Sequence, residues 1–468
     1  MDQKLNTVSP GKSLPRTTPE NVGLSSSRVC EFLLHCFERG MRGFMLYRKG
    51  YVFAEAHPFP FEAEDKKQVY SVSKSWTATA VGLAVNEGLL KLDDCVVSFF
   101  PNEIPDEPSA FLREMTVRHL LTMTSGHADD SLDVLASNVD NPERAFLAIP
   151  IKYKPGSRFV YDNGATYMLS SILASVTGES LLDYLRPRLL EPLGISGISW
   201  VRSPLGVCGG GWGLYVSTED MLRFGILYLN QGVFGGKRIL SDRWIDEACV
   251  YQIDNREENG DHDNDWESGY GYQFWISRFG REHKAYRADG AFKQFIVIVP
   301  ECQLVFAYTG YNNAGQPVLD MLWRLCGEIS EEPLPENKTE SRRLKKTAEA
   351  LAYPTEKNPS PCRCFSAMGD VPELGGTLFA DVTPEFVRLT FPEKQRLTLR
   401  LGAPTPTVFR YPYQNNDAFP LRPAKAFAAH ISSPNVVTLK ILDKNSPHSA
   451  TVTISESDIV QTENDRWL

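Results

Sequence analysis

The chain has 468 residues, 42% of them hydrophobic and 23% charged, with a formal net charge of −9. This is the balance of a globular protein with room for one large domain and a smaller one. The acidic balance and the lack of a long basic run argue against nucleic acid and anionic membranes as partners. No apolar run reaches membrane-spanning length, and the N-terminus "MDQKLNTVSPGKSLPRTTPENVG" has no apolar signal core. Nine cysteines are scattered through the chain without zinc spacing. They read as reduced, and the expected compartment is cytoplasmic.

In chain order, residues 1–20 read as an extended arm and residues 26–39 as an amphipathic helix. Phe44–Tyr47 and Tyr51–Ala56 read as strands of a hairpin turning at Lys49-Gly50. A helix follows from Val72. Helical signals then dominate from about 110 to 240, several ending at Gly or Pro. Strand signals return past 268 as an antiparallel meander, closed by the helix "VLDMLWRLCGEI". The expected fold class is α/β (α+β): an antiparallel sheet covered by helices, plus a helical lobe. Residues 331–350, charged and proline-containing, read as a linker or a solvated helix. From 362 onward short strands predict a small all-β domain. The expected division is 1–330, a linker at 331–350, and 351–468.

The chemistry begins at "VYSVSKSWTATAVGLAVNEGLLKLDD". Ser71 and Lys74 stand three residues apart, on one helical face. Val72, Trp76, Ala80, Leu83 and Ala84 recur at helical spacing, with Ala78, Val81 and Val85 between them. A helix apolar nearly all round is buried, and a lysine in its first turn loses water and favours its neutral form. Such a lysine accepts a serine proton, and the helix N-terminus stabilises the anion. The competing reading is a capping serine beside a lysine that reaches out to solvent. A second Ser-x-x-Lys, Ser9/Lys12, contains Pro10-Gly11, a turn signal that keeps the pair off one helix face.

A tyrosine is the other candidate base, if a cation lowers its pKa. Tyr-x-Asn occurs four times, starting at Tyr161, Tyr228, Tyr311 and Tyr413. Only Tyr161 falls on a loop just before a helix, with Asn163 as the third residue. His119 and His127 read as structural, and no His-Glu-x-x-His or Gly-x-Ser-x-Gly is present. The acid-rich loop 254–268 lacks EF-hand spacing and reads as solvated. No metal or organic cofactor is expected.

The segments "YSVSKSWTATAVGLAVNEGLLKLDD", "VRHLLTMTSGH", "KPGSRFVYDNGATYMLSSILASVTG", "GGGWGLYVSTEDMLRFGILYLNQG" and "YRADGAFKQFIVIVP" occur in that order. In this the chain resembles the penicillin-binding-protein-like serine hydrolases, the group of class C β-lactamases, D-amino-acid peptidases and related esterases, over about residues 15–330. The resemblance implies a site between the sheet-bearing part and the helical lobe. It implies Ser71 as nucleophile, Lys74 as activator, and Tyr161 with Asn163 as the second motif. The third motif, usually Lys-Thr-Gly or His-x-Gly, falls on Ala288-Asp289-Gly290. Its glycine is kept and its cation is lost. Arg287 would point to the opposite strand face, and Lys293 stands where a glycine is expected. The backbone N–H groups of Ser71 and Ala291 are the expected oxyanion donors.

The expectation is a serine hydrolase that forms an acyl-enzyme with a small-molecule, short-peptide or ester substrate. Lys74 and Tyr161 would share the proton, and substrates without a carboxylate beside the reacting bond would be preferred. A non-catalytic binding protein of the same fold and an acyltransferase are the alternatives. The oligomeric state is not readable from the sequence.

Overall fold

The computed structural model describes residues 13–352 apart from 60, 258–263, 278–284 and 313–314. Beyond these it describes residues 364–463 apart from 372–375, 384–385, 392–395, 401–406, 412–421, 434–435, 444–448 and 456. Ser9/Lys12, Cys362 and the Tyr413 motif lie outside the described residues, as does part of the acid-rich loop.

Helix α1 (Ser26–Glu38) is capped by Ser25, whose side chain accepts from Ser27 N. Strands β1 (Met41–Arg48) and β2 (Tyr51–Ala56) turn at Lys49 and Gly50, both in the left-handed region at φ 47° and 93°. That conformation matches hairpin twist. Helix α2 (Val72–Asn86) carries the lysine; α3 (Val117–Leu121), α4 (Asn163–Thr177) and α5 (Thr218–Leu229) follow. The meander is β3 (Trp275–Ser277), β4 (Ala285–Gly290), β5 (Gln294–Val299) and β6 (Leu304–Gly310). Hairpin and meander are one antiparallel sheet in the order β2-β1-β6-β5-β4-β3, because β1 pairs with β6, as in Phe44 opposite Tyr308.

Strand alternation divides the core into two layers. Phe44, Leu46, Val297 and Phe306 pack with α1 and with α6 (Gly315–Gly327) on one face. Met45, Tyr47, Ile296 and Val305 join the larger cluster formed by α2, α4, α5 and the helical lobe. Trp76 of α2 stacks on Phe224 of α5 with centroids 4.5 Å apart and planes 13° apart, fully buried. This contact locks α2 beneath the sheet, and truncating Trp76 to Ala would cost about 3–5 kcal/mol.

Two readings at the ends are sharpened. The arm is extended from Pro15 to Thr17 because it adds to the open edge of β2, with Val52 N donating to Pro15 O and Thr17 N to Val52 O, both 2.9 Å. The 331–350 stretch contains helix α7 (Lys338–Ala350), mostly exposed but anchored. Leu344 is buried in the α1 layer, and Ser341 Oγ donates to Glu20 Oε2 at 3.0 Å. The C-terminal strands form one sheet from Phe365 to Arg400 and another from Thr407 to Glu463, with a shared apolar cluster that includes Leu378, Leu397, Leu439 and Ile454.

Candidate active site

Ser71 sits at the N-cap of α2, but at φ −70° and ψ −7° its side chain makes no capping hydrogen bond. Lys74 is 1% exposed. The pair is therefore neither a cap nor a lysine reaching solvent. Lys74 Nζ lies 3.1 Å from Ser71 Oγ, 2.5 Å from Asn163 Oδ1 and 2.9 Å from Gly211 O. None of these partners is a carboxylate. Burial drives the Lys74 pKa down to about 7, against a smaller upward pull from Asp130 and Asp162.

Helix α4 supplies the opposite contact. Asp162 is its N-cap, accepting from Gly164 N at 2.9 Å, and this fixes Tyr161 and Asn163 on either side. Asp162 is itself buried. Burial would raise its pKa, but hydrogen bonds from His127 and Ser131 outweigh that and hold it low. His127 is thus a buried histidine bound through Nδ1, 3.1 Å from Asp162 Oδ2, while its Nε2 meets no hydrogen-bond partner. His119 Nδ1 accepts from Thr116 N at 3.1 Å at the start of α3, again a structural role.

The Tyr161 ring lies 4.8 Å from Lys74 Nζ, and the nearby Ser71 side chain pulls the tyrosine pKa downward. The net shift is upward all the same. Burial is the main cause, and Asp289 and Asp130 push the same way. The expectation of a tyrosine made basic by a cation is corrected on this point: the hydroxyl pKa moves up, and of the two groups only Lys74 is shifted towards neutrality.

The β4 wall closes the site. A Cβ on Gly290 would stand 2.3 Å from Val69 O and 3.3 Å from Ser71 N, so only glycine lets β4 lie against the Ser71 segment. This sets the chain at Ala291, at the β4–β5 turn, beside that of Ser71. Tyr70, Phe292 and Lys293 around this junction have φ values of 47°, 58° and 63°. At Lys293 the backbone thus takes the shape a glycine would supply.

Ala288 is fully buried. Arg287 and Asp289 share the other strand face and pair with each other, Nε to Oδ2 at 3.0 Å. Arg287 Nη1 also donates to Asp265 O at 2.9 Å and Ser277 Oγ at 2.8 Å. Its guanidinium lies over Trp266 and Trp275 at 4.7 and 5.8 Å, and Trp275 stacks on Tyr161 at 5.6 Å. Burial raises the Asp289 pKa against opposition from Arg287 and Lys293. Asp289 is therefore not a bare charge available to repel a substrate carboxylate. Lys293 Nζ lies over Trp266 at 4.1 Å.

Ser71, Lys74, Tyr161, Asn163 and Gly290 converge as the sequence suggested. Asp130, Gly211 and Trp275 were missed. Gly211 had a signal in its triple-glycine run; Asp130 and Trp275 had none, since their roles arise only from chain segments brought together by folding. Among the described residues no group of three or more His, Cys, Asp or Glu could hold a metal, and no helix is long and apolar enough to cross a membrane.

Comparison with known proteins places this geometry. The family model described as Beta-lactamase matches residues 42–322, which contain the whole cluster. The chain is 27% identical over 309 residues to penicillin-binding protein 4 of Amycolatopsis lactamdurans, covering 57% of this chain and 77% of that one. It is 28% identical over 162 residues to lovastatin esterase of Penicillium rubens, covering 29% of this chain and 40% of the esterase, less than half its length. The octameric penicillin-binding protein homologue of Pyrococcus abyssi is alike in fold, with a TM-score of 0.52 at 19% identity over 92% of this chain and 96% of that one.

Proposed function

Because the chain belongs to the beta-lactamase family, we propose that it is a serine hydrolase that forms an acyl-enzyme on Ser71 from an ester or amide. The observation that carries this is a buried lysine amine, its pKa about 7, lying 3.1 Å from an uncapped serine hydroxyl. Neutral Lys74 takes the Ser71 proton as Oγ bonds to the substrate carbonyl carbon. The carbonyl oxygen becomes an oxyanion facing the N–H groups of Ser71 and Ala291. As the intermediate collapses, the bond to the leaving group breaks. Tyr161, still protonated and near Ser71, gives the leaving group its proton and regains one from the Lys74 ammonium. Water then attacks the acyl carbon, giving up a proton by the reverse route and restoring Ser71.

Substrate preference follows from the β4 wall. Ala288 offers no cation, Arg287 is committed to Asp289, and Lys293 is engaged with Trp266. A charge-assisted bond of about 1.5–3 kcal/mol to a substrate carboxylate is absent. Esters and amides without an adjacent carboxylate are the preferred class. We also infer that residues 364–463 form a unit separate from the hydrolase body, with the body extending through α7.

Ser71→Ala tests the nucleophile. It should abolish labelling by a fluorophosphonate probe and lower kcat/KM on p-nitrophenyl acetate by several orders of magnitude. Retained activity would overturn the mechanism. On the wild-type protein, kcat/KM should be higher for p-nitrophenyl acetate than for nitrocefin; the reverse order would mean that a cation of the β4 wall reaches the carboxylate.

A further inference from the structure

The Asn163 amide has two faces, and which one meets Lys74 decides what the lysine can do. Asp130 removes the choice. Its Oδ1 accepts from Asn163 N at 2.8 Å and its Oδ2 from Asn163 Nδ2 at 2.5 Å. A carboxylate has no proton to give, so the amide nitrogen faces Asp130 and the amide oxygen faces Lys74. A neutral lysine amine has two N–H bonds and one lone pair. Asn163 Oδ1 and Gly211 O can only accept, so they take both hydrogens. The lone pair is left for the remaining neighbour, Ser71 Oγ. With the amide reversed, Asn163 Nδ2 would donate into that lone pair, and the serine proton would have no acceptor.

The Asp130 loop is held in place for this. Ser131 N and Oγ donate to Asp162 Oδ1 at 3.0 and 2.6 Å, and His127 is bound to the other oxygen of the same carboxylate. Asp130 itself is exposed, so core packing does not account for its position.

We propose that Asp130 is a positioning residue that fixes the orientation of the Asn163 amide and thereby aims the Lys74 lone pair at Ser71. The proposal rests on the reading of Ser71 as nucleophile and Lys74 as its base.

The test compares Asp130→Ala, Asp130→Asn and the double variant D130N/N163D, with rates on p-nitrophenyl acetate normalised to folded protein by thermal melts. Asp130→Asn sets an amide nitrogen against Asn163 Nδ2; two donors meet, and the Asn163 amide turns over. The expected loss in kcat is about a hundredfold. Asp130→Ala only removes the constraint and should cost about tenfold. A residue that merely braced the loop would give the opposite order, because Asn is the closer match to Asp. In D130N/N163D the introduced amide donates to the introduced carboxylate, whose other oxygen again accepts from Lys74. About tenfold of the lost rate should return. Its acid limb should move to higher pH, because the negative charge now touches the amine while Asp162, Tyr161 and Asp289 stay as they were. Asp130→Asn within twofold of wild type, Asp130→Asn milder than Asp130→Ala, or no recovery in the double variant would each overturn the proposal. If Ser71→Ala kept its activity, the underlying reading would fall instead.

Discussion

The two walls of the cleft each bury a cation, with opposite results. On the α2 wall Lys74 meets a hydroxyl, two amide-type oxygens and the face of Tyr161, but no carboxylate. Dipoles do not repay the loss of water, and the amine sheds its proton near neutrality. On the β4 wall Arg287 meets the Asp289 carboxylate, two tryptophan faces and a backbone oxygen. A guanidinium does not deprotonate in proteins, so this cation becomes a fixed brace. The cation's own chemistry and its partners, not burial itself, decide whether a buried cation does chemistry or holds structure.

The contrast is broken most directly at Lys74. Lys74→Arg should cost about as much as Lys74→Ala, about a thousandfold in kcat/KM, because a guanidinium cannot accept the serine proton. Near-normal turnover by Lys74→Arg would make both walls electrostatic. Next is the brace. Arg287→Met leaves the Asp289 carboxylate buried without its partner and should cost about 3–5 kcal/mol of stability in urea titrations. A loss below 1 kcal/mol would mean that the pair is dispensable.

Titration sharpens the same contrast. The folded-state pKa of Lys74, about 7, lies below its ordinary 10.5. Between these values the unfolded chain binds more protons, so stability rises with pH. The penalty for burying the amine is fully present below pH 7 and gone above 10.5. Stability of the wild type relative to Lys74→Met should therefore rise by about 2–3 kcal/mol from pH 7 to 9, read by chemical denaturation at each pH. A flat difference would show that the amine stays charged. The same titration should give kcat/KM an acid limb centred near pH 7. The smallest effect is expected at Lys293. Lys293→Gly relieves a left-handed backbone but gives up the contact with Trp266; these oppose each other at about 1 kcal/mol apiece, so the melting temperature should barely move.

The α2 wall was legible because its determinants are close in sequence. The apolar run from Val72, the i,i+3 spacing of Ser71 and Lys74, and Tyr161 just before a helix each carry their meaning locally. The β4 wall was only half legible. Gly290 and the glycine-shaped backbone at Lys293 could be anticipated. The pairing of Arg287 with Asp289 follows from their shared strand face, but the two-residue spacing alone does not separate a paired cation from a free one. Asp130 was invisible, since its meaning depends on Asn163, which folding brings to it. The 331–350 stretch, read as a linker or a solvated helix, carries a mostly exposed helix, and its anchoring through Leu344 and Ser341 is what composition does not show.

The pairing of β1 with β6 also fixes an order of events at synthesis. The two strands lie roughly 260 residues apart in the chain, as in Met41 opposite Gly310. At about 5–20 residues per second, a ribosome needs roughly 13–50 seconds to deliver β6 after β1 has emerged. Throughout that interval the apolar strand Met41–Arg48 has β2 on one edge and no permanent neighbour on the other. An unpaired edge of this kind recruits other chains, so a holding chaperone would be the temporary occupant of the place β6 later takes.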